Sequence, residues 1–338
     1  MILGGFPEQL WRSRPRRAAF LLLAFAALAT IVPVPPPAPP PGPAVAMLRF
    51  AAVPLDAAHP ARRRLGGLLY LGGWELTGDS PRFGGISALH AEGGEALALS
   101  DAGVLLRFAL PAAPSGRGPV RLVPLPDGPG PPTRKSNRDT ESMLVRGPWL
   151  WAGFERHNMV WRYRRADLAA TARAQPEAIR RWRSNGGPEA MARLADGRFL
   201  LLAEGPDDGL ATSEAVLFDG DPAEPGTRAA RLRYRRVPGY RVTDAAALPD
   251  GRLLLLNRRF AWLEGFSAVI TVAETRGLGG GATIAGREIA ALRAPVSVDN
   301  MEGLSVTRED GRTVVWLASD DNFFPLQRTL LLKFELVE

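Results

Sequence analysis

Acidic side chains recur at the ends of predicted hairpins in this sequence. Glu189 and Glu204 lie equally far from the Asp-Gly pair at 196–197, a strong signal for a tight turn between two strands. Because hairpin strands are antiparallel, the two glutamates are predicted to be cross-strand neighbours at one end. Four further hairpins place polar residues in the same way: Asp244 with Asn257, Glu302 with Ser319 and Asp320, Glu141 with Glu155, and Ser87 with Ser100 and Asp101.

Crowded carboxylates outside bulk water must be neutralised by a cation, by protonation or by arginine. Carboxylate and amide oxygens are the ligands of hard divalent cations, so the pattern predicts a divalent cation as cofactor, with calcium preferred. The predicted metal ligands are Glu141, Glu189, Asp244, Glu302 and Asp320. The alternative is structural, since acids at strand ends also cap backbone amides or pair with arginine.

The same strand ends supply groups for proton transfer and anion binding. Glu155 and Glu204 are predicted as catalytic carboxylates that act as general base. Predicted substrate-binding residues are Arg156, His157, Arg258 and Asn322. The cationic members of this group would either balance the acids or hold an anionic substrate such as a phosphate. The segment 320–325 is interpreted as either a metal-binding loop or a rigid turn.

The elements that would position these residues are evenly spaced hairpins. They start at residues 87, 141, 189, 244 and 302, roughly 50 to 60 residues apart, which suits propeller blades. Further strand-like segments follow each hairpin, so we predict an all-β fold: a β-propeller of five or six four-stranded blades. The first strand of each blade lines the central channel, which would bring the acids to one mouth of it. A two-sheet sandwich explains separate hairpins but not their even spacing.

Two further structural predictions concern the ends and the middle of the propeller. Residues 68–71 and 329–334 are both strand-like, and they are predicted to pair and close the ring. Residues 165–183 are interpreted as a helical insertion.

The N-terminus has the anatomy of an export signal. Arg12, Arg14, Arg16 and Arg17 precede an apolar run at 18–32, and a Pro-rich stretch follows. We therefore predict a signal peptide or signal anchor at 1–32, a stiff linker at 33–47 and the propeller domain at 48–338. Both versions export the body to the periplasm, and contact with the membrane is predicted only through this segment.

Composition excludes several other classes of protein. The chain has no cysteine, three histidines and no Gly-x-Ser-x-Gly motif, which excludes thiolate chemistry and argues against a histidine metal site and an α/β-hydrolase. The net charge of +7 comes from arginines spread along 338 residues. Because these arginines cluster only at 12–17 and 62–64, no nucleic-acid partner is predicted.

Several short motifs resemble the family described as esterase-like activity of phytase. They lie at 83–89, 139–142, 153–157, 185–191, 299–304 and 317–323, and the resemblance covers roughly residues 66–338. It implies a propeller and an acidic set, which falls on Asp139, Glu141, Glu155, Glu189, Glu204, Asp244, Asp299, Glu302, Asp320 and Asp321.

The predicted function is a metal-dependent hydrolase that acts on phosphate esters or related esters at the acidic mouth. A bound cation would polarise the ester and lower the pKa of a bound water. The expected partner is a small anionic ester. Two alternatives stay open: a calcium-dependent lactonase, and a non-catalytic envelope propeller whose acids are structural.

Overall fold

The computed structural model describes residues 42–205 and 210–338, and regular structure in these ranges consists of strands and one 3-10 turn at Lys135–Asn137. The predicted export segment at 1–32 lies outside the described residues. Within the two ranges, no helix has the length and apolar character that a bilayer crossing requires.

The strands are numbered in chain order. They are β1 (Ala44–Ala52), β2 (Arg64–Leu65), β3 (Leu68–Gly78), β4 (Ile86–Glu92), β5 (Glu95–Ser100), β6 (Val104–Ala109), β7 (Ser115–Pro124), β8 (Thr140–Arg146), β9 (Trp149–Phe154), β10 (Met159–Arg164), β11 (Ala170–Ala174), β12 (Pro188–Arg193), β13 (Phe199–Ala203), β14 (Thr212–Phe218), β15 (Ala229–Arg235), β16 (Arg241–Ala247), β17 (Leu253–Ala261), β18 (Gly265–Ala273), β19 (Thr283–Ala285), β20 (Arg287–Leu292), β21 (Met301–Glu309), β22 (Arg312–Ser319) and β23 (Thr329–Leu336).

These strands form four-stranded antiparallel units. Unit 1 is β4–β7, unit 2 is β8–β11, unit 3 is β12–β15, unit 4 is β16, β17, β18 and β20, and unit 5 is β21–β23 with β3. The first strands contact one another in a closed cycle, β4 to β8, β12, β16, β21 and back to β4. Such a cycle around an axis is a β-propeller, as the spacing of the hairpins predicts, and it is not a two-sheet sandwich.

Hydrophobic cores lie between neighbouring units. In β13, the side chains of Leu200 and Leu202 pack with Leu253 and Leu255 of unit 4, whereas Leu201 packs with unit 2. Successive side chains of a strand point to opposite faces, and both faces of a propeller sheet are covered. This explains why the second strands are nearly continuous apolar runs in the sequence.

The N- and C-terminal strands close the ring. β3 pairs with β23, with Tyr70 opposite Phe334, so the pairing predicted for residues 68–71 and 329–334 is confirmed. β1 lies between β3, the outermost strand of unit 5, and β7, the outermost strand of unit 1, and pairs with both. Because β1 begins at Ala44, the sheet includes residues 44–47, and the assignment of these four residues to the linker is wrong.

Residues 165–183 are not a helical insertion. This segment contains β11, the fourth strand of unit 2, which pairs with β10. Turns then lead to β12, and Ile179 and Trp182 are buried in the core between units 2 and 3. The prediction failed because a segment rich in arginine and alanine has a high helix propensity. Pairing with β10 instead determines the conformation of residues 170–174.

A β-bulge interrupts each first strand near its start. The residue left unpaired in units 1 to 5 is, in order, Ser87, Glu141, Glu189, Thr243 and Glu302. In unit 4 the structure therefore places Val242, and not Asp244, opposite Asn257. Asp244 lies one position past the bulge, which corrects the predicted equivalence between Asp244 and the glutamates. A bulge adds one residue to a strand and redirects the side chain at that point.

Candidate functional site

The mouth is defined here as the end of the propeller at which first strands begin and second strands end. Two sets of equivalent positions meet there. One is the bulge position, with three glutamates. The other follows the second-strand residue that pairs with the residue just before the bulge, and it is occupied by Asp101, Glu155, Glu204, Arg258 and Asp320. The mouth predicted from the hairpins is thus present, with one arginine among the acids.

The three bulge glutamates come from different units and interact with one another. Burial raises the pKa of Glu141 well above its usual range, and Glu189 and Glu302 raise it further. Burial also raises the pKa of Glu189, with added repulsion from Glu204 and Glu155. Burial raises the pKa of Glu302 to about 7, although Arg258 opposes the shift. Glutamates from units 2, 3 and 5 therefore converge on one region, and part of their charge is neutralised by protons at neutral pH.

A tighter group lies within unit 2. Carboxylate oxygens of Asp139, Glu141 and Glu155 all lie within 4.8 Å of one another, and Asp139 and Glu155 are buried. Burial raises the pKa of Glu155 to about 7, and Asp139 contributes to the same shift. Two oxygens on one calcium ion are separated by at most about 5 Å, because each Ca–O distance is about 2.3–2.6 Å. The spacing and the all-carboxylate donor set therefore fit a cation of this kind.

Two cations border this group. Arg156 Nε donates to Asp139 Oδ2 at 2.7 Å, and Lys135 Nζ donates to Asp101 Oδ2 at 2.6 Å. Lys135 Nζ also lies 3.9 Å from Asp139. Both cationic side chains remain almost half exposed. They neutralise part of the acidic charge from the rim.

Arg258 performs the corresponding role in units 3 to 5. Its Nη2 lies 3.4 Å from Glu204 Oε1 and 3.2 Å from Glu302 Oε1. Arg241 Nη1 lies 2.8 Å from the other oxygen of Glu204. Glu204 is thus enclosed by two guanidinium groups. The predicted association of Arg258 with the acids is present, and its partners belong to the units on both sides.

Unit 5 contributes a polar network around Asn300. Asn300 Nδ2 donates to Glu302 Oε1 at 2.8 Å and to Asp320 Oδ2 at 3.4 Å. Asp320 Oδ1 accepts from the backbone N–H of Asn322 at 2.7 Å. Among the described residues, Asn300 Oδ1 and Asp101 Oδ1 are buried acceptors that lack a hydrogen-bond partner. Buried polar atoms are rarely left in this state, so these oxygens fit a site for a cation or an ordered water.

Asp244, by contrast, is engaged by the backbone. Its Oδ1 accepts from the N–H of Ala245 at 2.8 Å, and its Oδ2 accepts from the N–H of Leu304 at 2.7 Å. The second bond joins β16 to β21 of the next unit. The pKa of this buried carboxyl is raised by burial, with no acid among the causes. Its geometry is that of a link between units.

Asp299 and Asp321 are also bound to the chain around them. Asp299 accepts from the backbone N–H groups of Asn300 and Arg328. Asp321 accepts from the N–H groups of Gly85 and Phe323 and from the hydroxyl of Thr329. These two acids of the set implied by the family resemblance therefore hold loops in place, which is the structural role considered for acids at strand ends.

The remaining substrate-binding predictions, His157 and Asn322, lie in loops that follow second strands. His157 Nε2 is 3.0 Å from Asn137 Oδ1. Asn322 is exposed, has a positive φ of 49° and donates from Nδ2 to Gln327 Oε1 at 2.8 Å. The hydrogen bonds in the structure connect both side chains to their own surroundings, and neither joins the acid groups.

Hydroxyl side chains replace glutamate at two bulge positions and connect units. Ser87 Oγ donates to the carbonyl of Thr140 at 2.6 Å, and Thr243 Oγ1 donates to the carbonyl of Met301 at 3.1 Å. Each carbonyl belongs to the residue before the next bulge. In units 1 and 4 the residue at the bulge thus forms a hydrogen bond to the next unit, and in units 2, 3 and 5 it is a glutamate at the mouth.

Sequence analysis missed several residues of the site. Asp139 belonged only to the acidic set implied by the resemblance, yet it shares the tightest group with Glu141 and Glu155. Its spacing of two from Glu141 was the available signal. Asn300 lay within the motif at 299–304 but was not singled out, and Arg241 and Lys135 lay outside the motifs because their roles depend on contacts between units.

The fold and the site together define a β-propeller with an acidic mouth. A family model described as "Phytase-like: Esterase-like activity of phytase" matches residues 81–323, and the chain belongs to this family. The match confirms the resemblance inferred from the short motifs.

Solved structures with similar coordinates include a putative gluconolactonase, with 13% identity, a TM-score of 0.44 and coverage of 86% of this chain and 94% of the other. A second is Myxococcus xanthus glutaminyl cyclase, with 11% identity, a TM-score of 0.40 and coverage of 75% and 92%. The β-propeller domain of Myceliophteria thermophila Cps50 (Swd1) has 11% identity, a TM-score of 0.36 and coverage of 78% and 76%. No curated protein matches the sequence. At these TM-scores the similarities carry no information on substrate or mechanism.

Proposed function

We propose that this chain is an exported propeller of five blades, one for each unit, that hydrolyses phosphate esters or related esters with a divalent cation at its mouth. The observation that carries the proposal is the group formed by Asp139, Glu141 and Glu155, which combines a cation-sized spacing with an adjacent guanidinium group, that of Arg156. Acids alone would suit a structural ion. Acids beside exposed cationic side chains also suit an anionic ester.

The three carboxylates would hold the cation, and calcium is the proposed ion. A cation bound there would polarise an ester oxygen and lower the pKa of a water molecule. Glu155 was predicted as general base, but its place in this group makes it a ligand in the proposed arrangement. Asp244 is omitted from the ligand set because both of its oxygens accept backbone N–H groups.

Glu189 is the carboxylate proposed to accept the proton from the attacking water; burial and the neighbouring acids favour its protonated form, and a cation held nearby would favour the ionised form that this role requires. The side chains of Glu189 and Glu155 form a hydrogen bond, which opposes the rise that burial causes in the pKa of Glu155. Glu189 therefore lies beside the group. Glu204, the other predicted base, is enclosed by Arg241 and Arg258. Its proposed role is to hold Arg258 in position. Arg156 and Arg258 would bind the anionic part of the ester and the charge that develops on it.

The proposed location is the periplasm, with the segment at 1–32 as cleaved signal or retained anchor. The support is the basic cluster followed by an apolar run and a Pro-rich stretch. Expression in bacterial cells, followed by cell fractionation and N-terminal sequencing of the purified protein, tests this location. A mature protein that starts at Met1 and is found only in the cytosol contradicts it.

A substrate screen tests the activity. Chelator-treated protein is supplied with calcium and assayed on aryl phosphates, phosphodiesters, carboxyl esters and lactones, beside Glu141→Gln. Asp196→Asn is the matched control, because Asp196 is an exposed acid in the β12–β13 turn at the opposite end. We expect phosphate turnover that Glu141→Gln abolishes and Asp196→Asn retains. Turnover of lactones alone would establish a lactonase instead. No turnover of any substrate, with unchanged stability on chelation, would leave a non-catalytic binding propeller.

A further inference from the structure

An apolar hairpin projects beyond the mouth. The strands β17 and β18 remain paired past Asn257 as far as Ala261 opposite Gly265. In unit 3, the corresponding strand β13 ends at Ala203, before its acid. Four residues beyond Asn257 extend the hairpin by about 13 Å at the usual rise of a strand. Its tip therefore lies farther along the axis than the acids.

The tip exposes large apolar side chains. Phe260 is 53% exposed, Trp262 is 82% exposed and Leu263 is 95% exposed. Below them, the rings of Phe260 and Phe266 pack at 4.9 Å between centroids, which stiffens the ribbon. Leu326, 79% exposed, lies in the equivalent connection of unit 5, between β22 and β23. Apolar residues of this size are unusual on a surface unless another phase or partner covers them.

Basic residues share this end of the propeller with the tip. Arg235 ends β15 and is exposed, Arg293 is exposed between β20 and β21, and Arg183 is exposed between β11 and β12. All three connections lead to the start of a first strand, which places them at the mouth end. The acidic residue nearest the tip, Glu264, is paired with Arg259 at 3.3 Å. Asp79 and Asp127 are exposed acids in connections of the same kind, but exposed basic side chains outnumber the exposed acids at this end. The rim is therefore positive, and with the apolar tip it is the complement of an anionic lipid surface.

The chain also enters the propeller at this end. β1 is antiparallel to β7, and Ala44 pairs with Leu122 near the end of β7 that leads to the mouth. The residues that precede Ala44, which carry the predicted export segment and the Pro-rich stretch, are attached there.

We propose that the tip of the β17–β18 hairpin, residues 260–263, inserts into the headgroup region of an anionic bilayer, so that the mouth end faces the membrane. Tryptophan favours this interface because its ring is apolar and its indole N–H can reach water. Insertion of the tip requires no cation and no substrate, so this proposal goes beyond the proposed function and stands independently of it.

The chain contains no cysteine, which allows a site-specific test in the full-length protein. Leu263→Cys at the tip and Ala195→Cys in the exposed β12–β13 turn at the opposite end are each labelled with an environment-sensitive fluorophore. Both proteins are reconstituted, without divalent cation, into vesicles of phosphatidylethanolamine and phosphatidylglycerol. We expect a blue-shifted emission at position 263 that nitroxide-labelled lipids quench, and a water-like emission at position 195.

A second measurement determines vesicle partition of protein whose tip carries no label. Full-length protein with a fluorophore at Ala195→Cys is assayed for partition to the same vesicles with and without Trp262→Ser and Leu263→Ser. Loss of two inserted side chains should weaken partition at least about tenfold. A water-like emission at position 263, or equal partition of both proteins, overturns the proposal. Shielding of position 263 by protein in the absence of lipid would assign the tip to a protein partner and overturn it as well.

Discussion

Arg258 and Glu302 come from neighbouring units, and their side chains meet at 3.2 Å at the mouth of the propeller. Arg258 occupies the position at which the other four units carry an acid, and it also lies 3.4 Å from Glu204. One guanidinium group thus neutralises carboxylates from the units on both of its sides. The arrangement gives Arg258 a larger share in the stability of the mouth than a cation that pairs with one acid.

Arg258→Gln should strongly destabilise the protein. Glu204 and Glu302 are nearly buried and Arg258 is 22% exposed, so removing Arg258 leaves charge that water compensates only in part and costs up to about 3–5 kcal/mol. Arg107→Gln is the control, since Arg107 and Glu95 form an exposed pair whose loss should change the free energy of unfolding by at most about 1 kcal/mol. Urea denaturation of both variants provides the measurement. Equal effects would show that Arg258 does not have this role.

Calcium should bind to chelator-treated protein, and Glu141→Gln and Glu155→Gln should each weaken its affinity at least about tenfold, or about 1.4 kcal/mol. Because burial raises the pKa of both groups, binding near neutral pH should also release protons. Calorimetry in buffers of different ionisation enthalpy measures both quantities. Asp196→Asn should bind like the parent protein. Unchanged affinity in Glu141→Gln would exclude the group in unit 2 as the site.

Asp244→Asn should lower stability and leave calcium affinity unchanged. An amide can present only one acceptor oxygen, so one of the two backbone N–H groups that bind Asp244 would face an N–H₂ group. The loss of a buried hydrogen bond of this kind costs about 1–3 kcal/mol. Thermal unfolding and calorimetry on the same sample separate the two effects. Weaker calcium binding without a change in stability would restore Asp244 to the ligand set.

The metal-free protein should become less stable as the pH rises from about 5 to 7.5. Burial raises the pKa of Glu155 and Glu302 to about 7 from an ordinary value of 4.5. The folded state therefore binds more protons than the unfolded state in this window, and the stability present at low pH is lost as these groups ionise. One such group accounts for roughly 3 kcal/mol. Urea denaturation across this pH range in chelator should show the decline.

Two comparisons test the cause of this pH dependence. Glu155→Gln with Glu302→Gln removes both ionisations and should make the decline shallower, while Glu141, Glu189 and Asp244, whose pKa burial also raises, retain part of it. Calcium added at pH 7.5 should raise the melting temperature of the parent protein, because it binds only the folded state. A flat profile in the parent protein would contradict the origin assigned to the buried glutamates.

Local sequence determined much of the fold. The Asp-Gly turn at 196–197 and the apolar run of Leu200 to Leu202 define a hairpin with two buried faces, as in the structure. Hairpins at even spacing then favour a propeller, because a single unit cannot cover both faces of its own sheet and needs a neighbour on each side. The pairing of β3 with β23 follows from the same requirement. The convergence of Glu141, Glu189 and Glu302 was predictable because antiparallel strands place hairpin ends together.

The tertiary structure decided which residues share a site. The bulges shift the register by one residue, so Thr243 and not Asp244 is equivalent to the glutamates. Counting back from the Asp-Gly turns does align Thr243 with Glu189, because each lies seven residues before the Asp of its turn, but the direction in which a bulge turns its side chain depends on the pairing of whole strands. Likewise, Arg258 meets Glu302 only because units 4 and 5 are adjacent in the ring. Such contacts depend on the packing of whole sheets, which no local pattern of residues records.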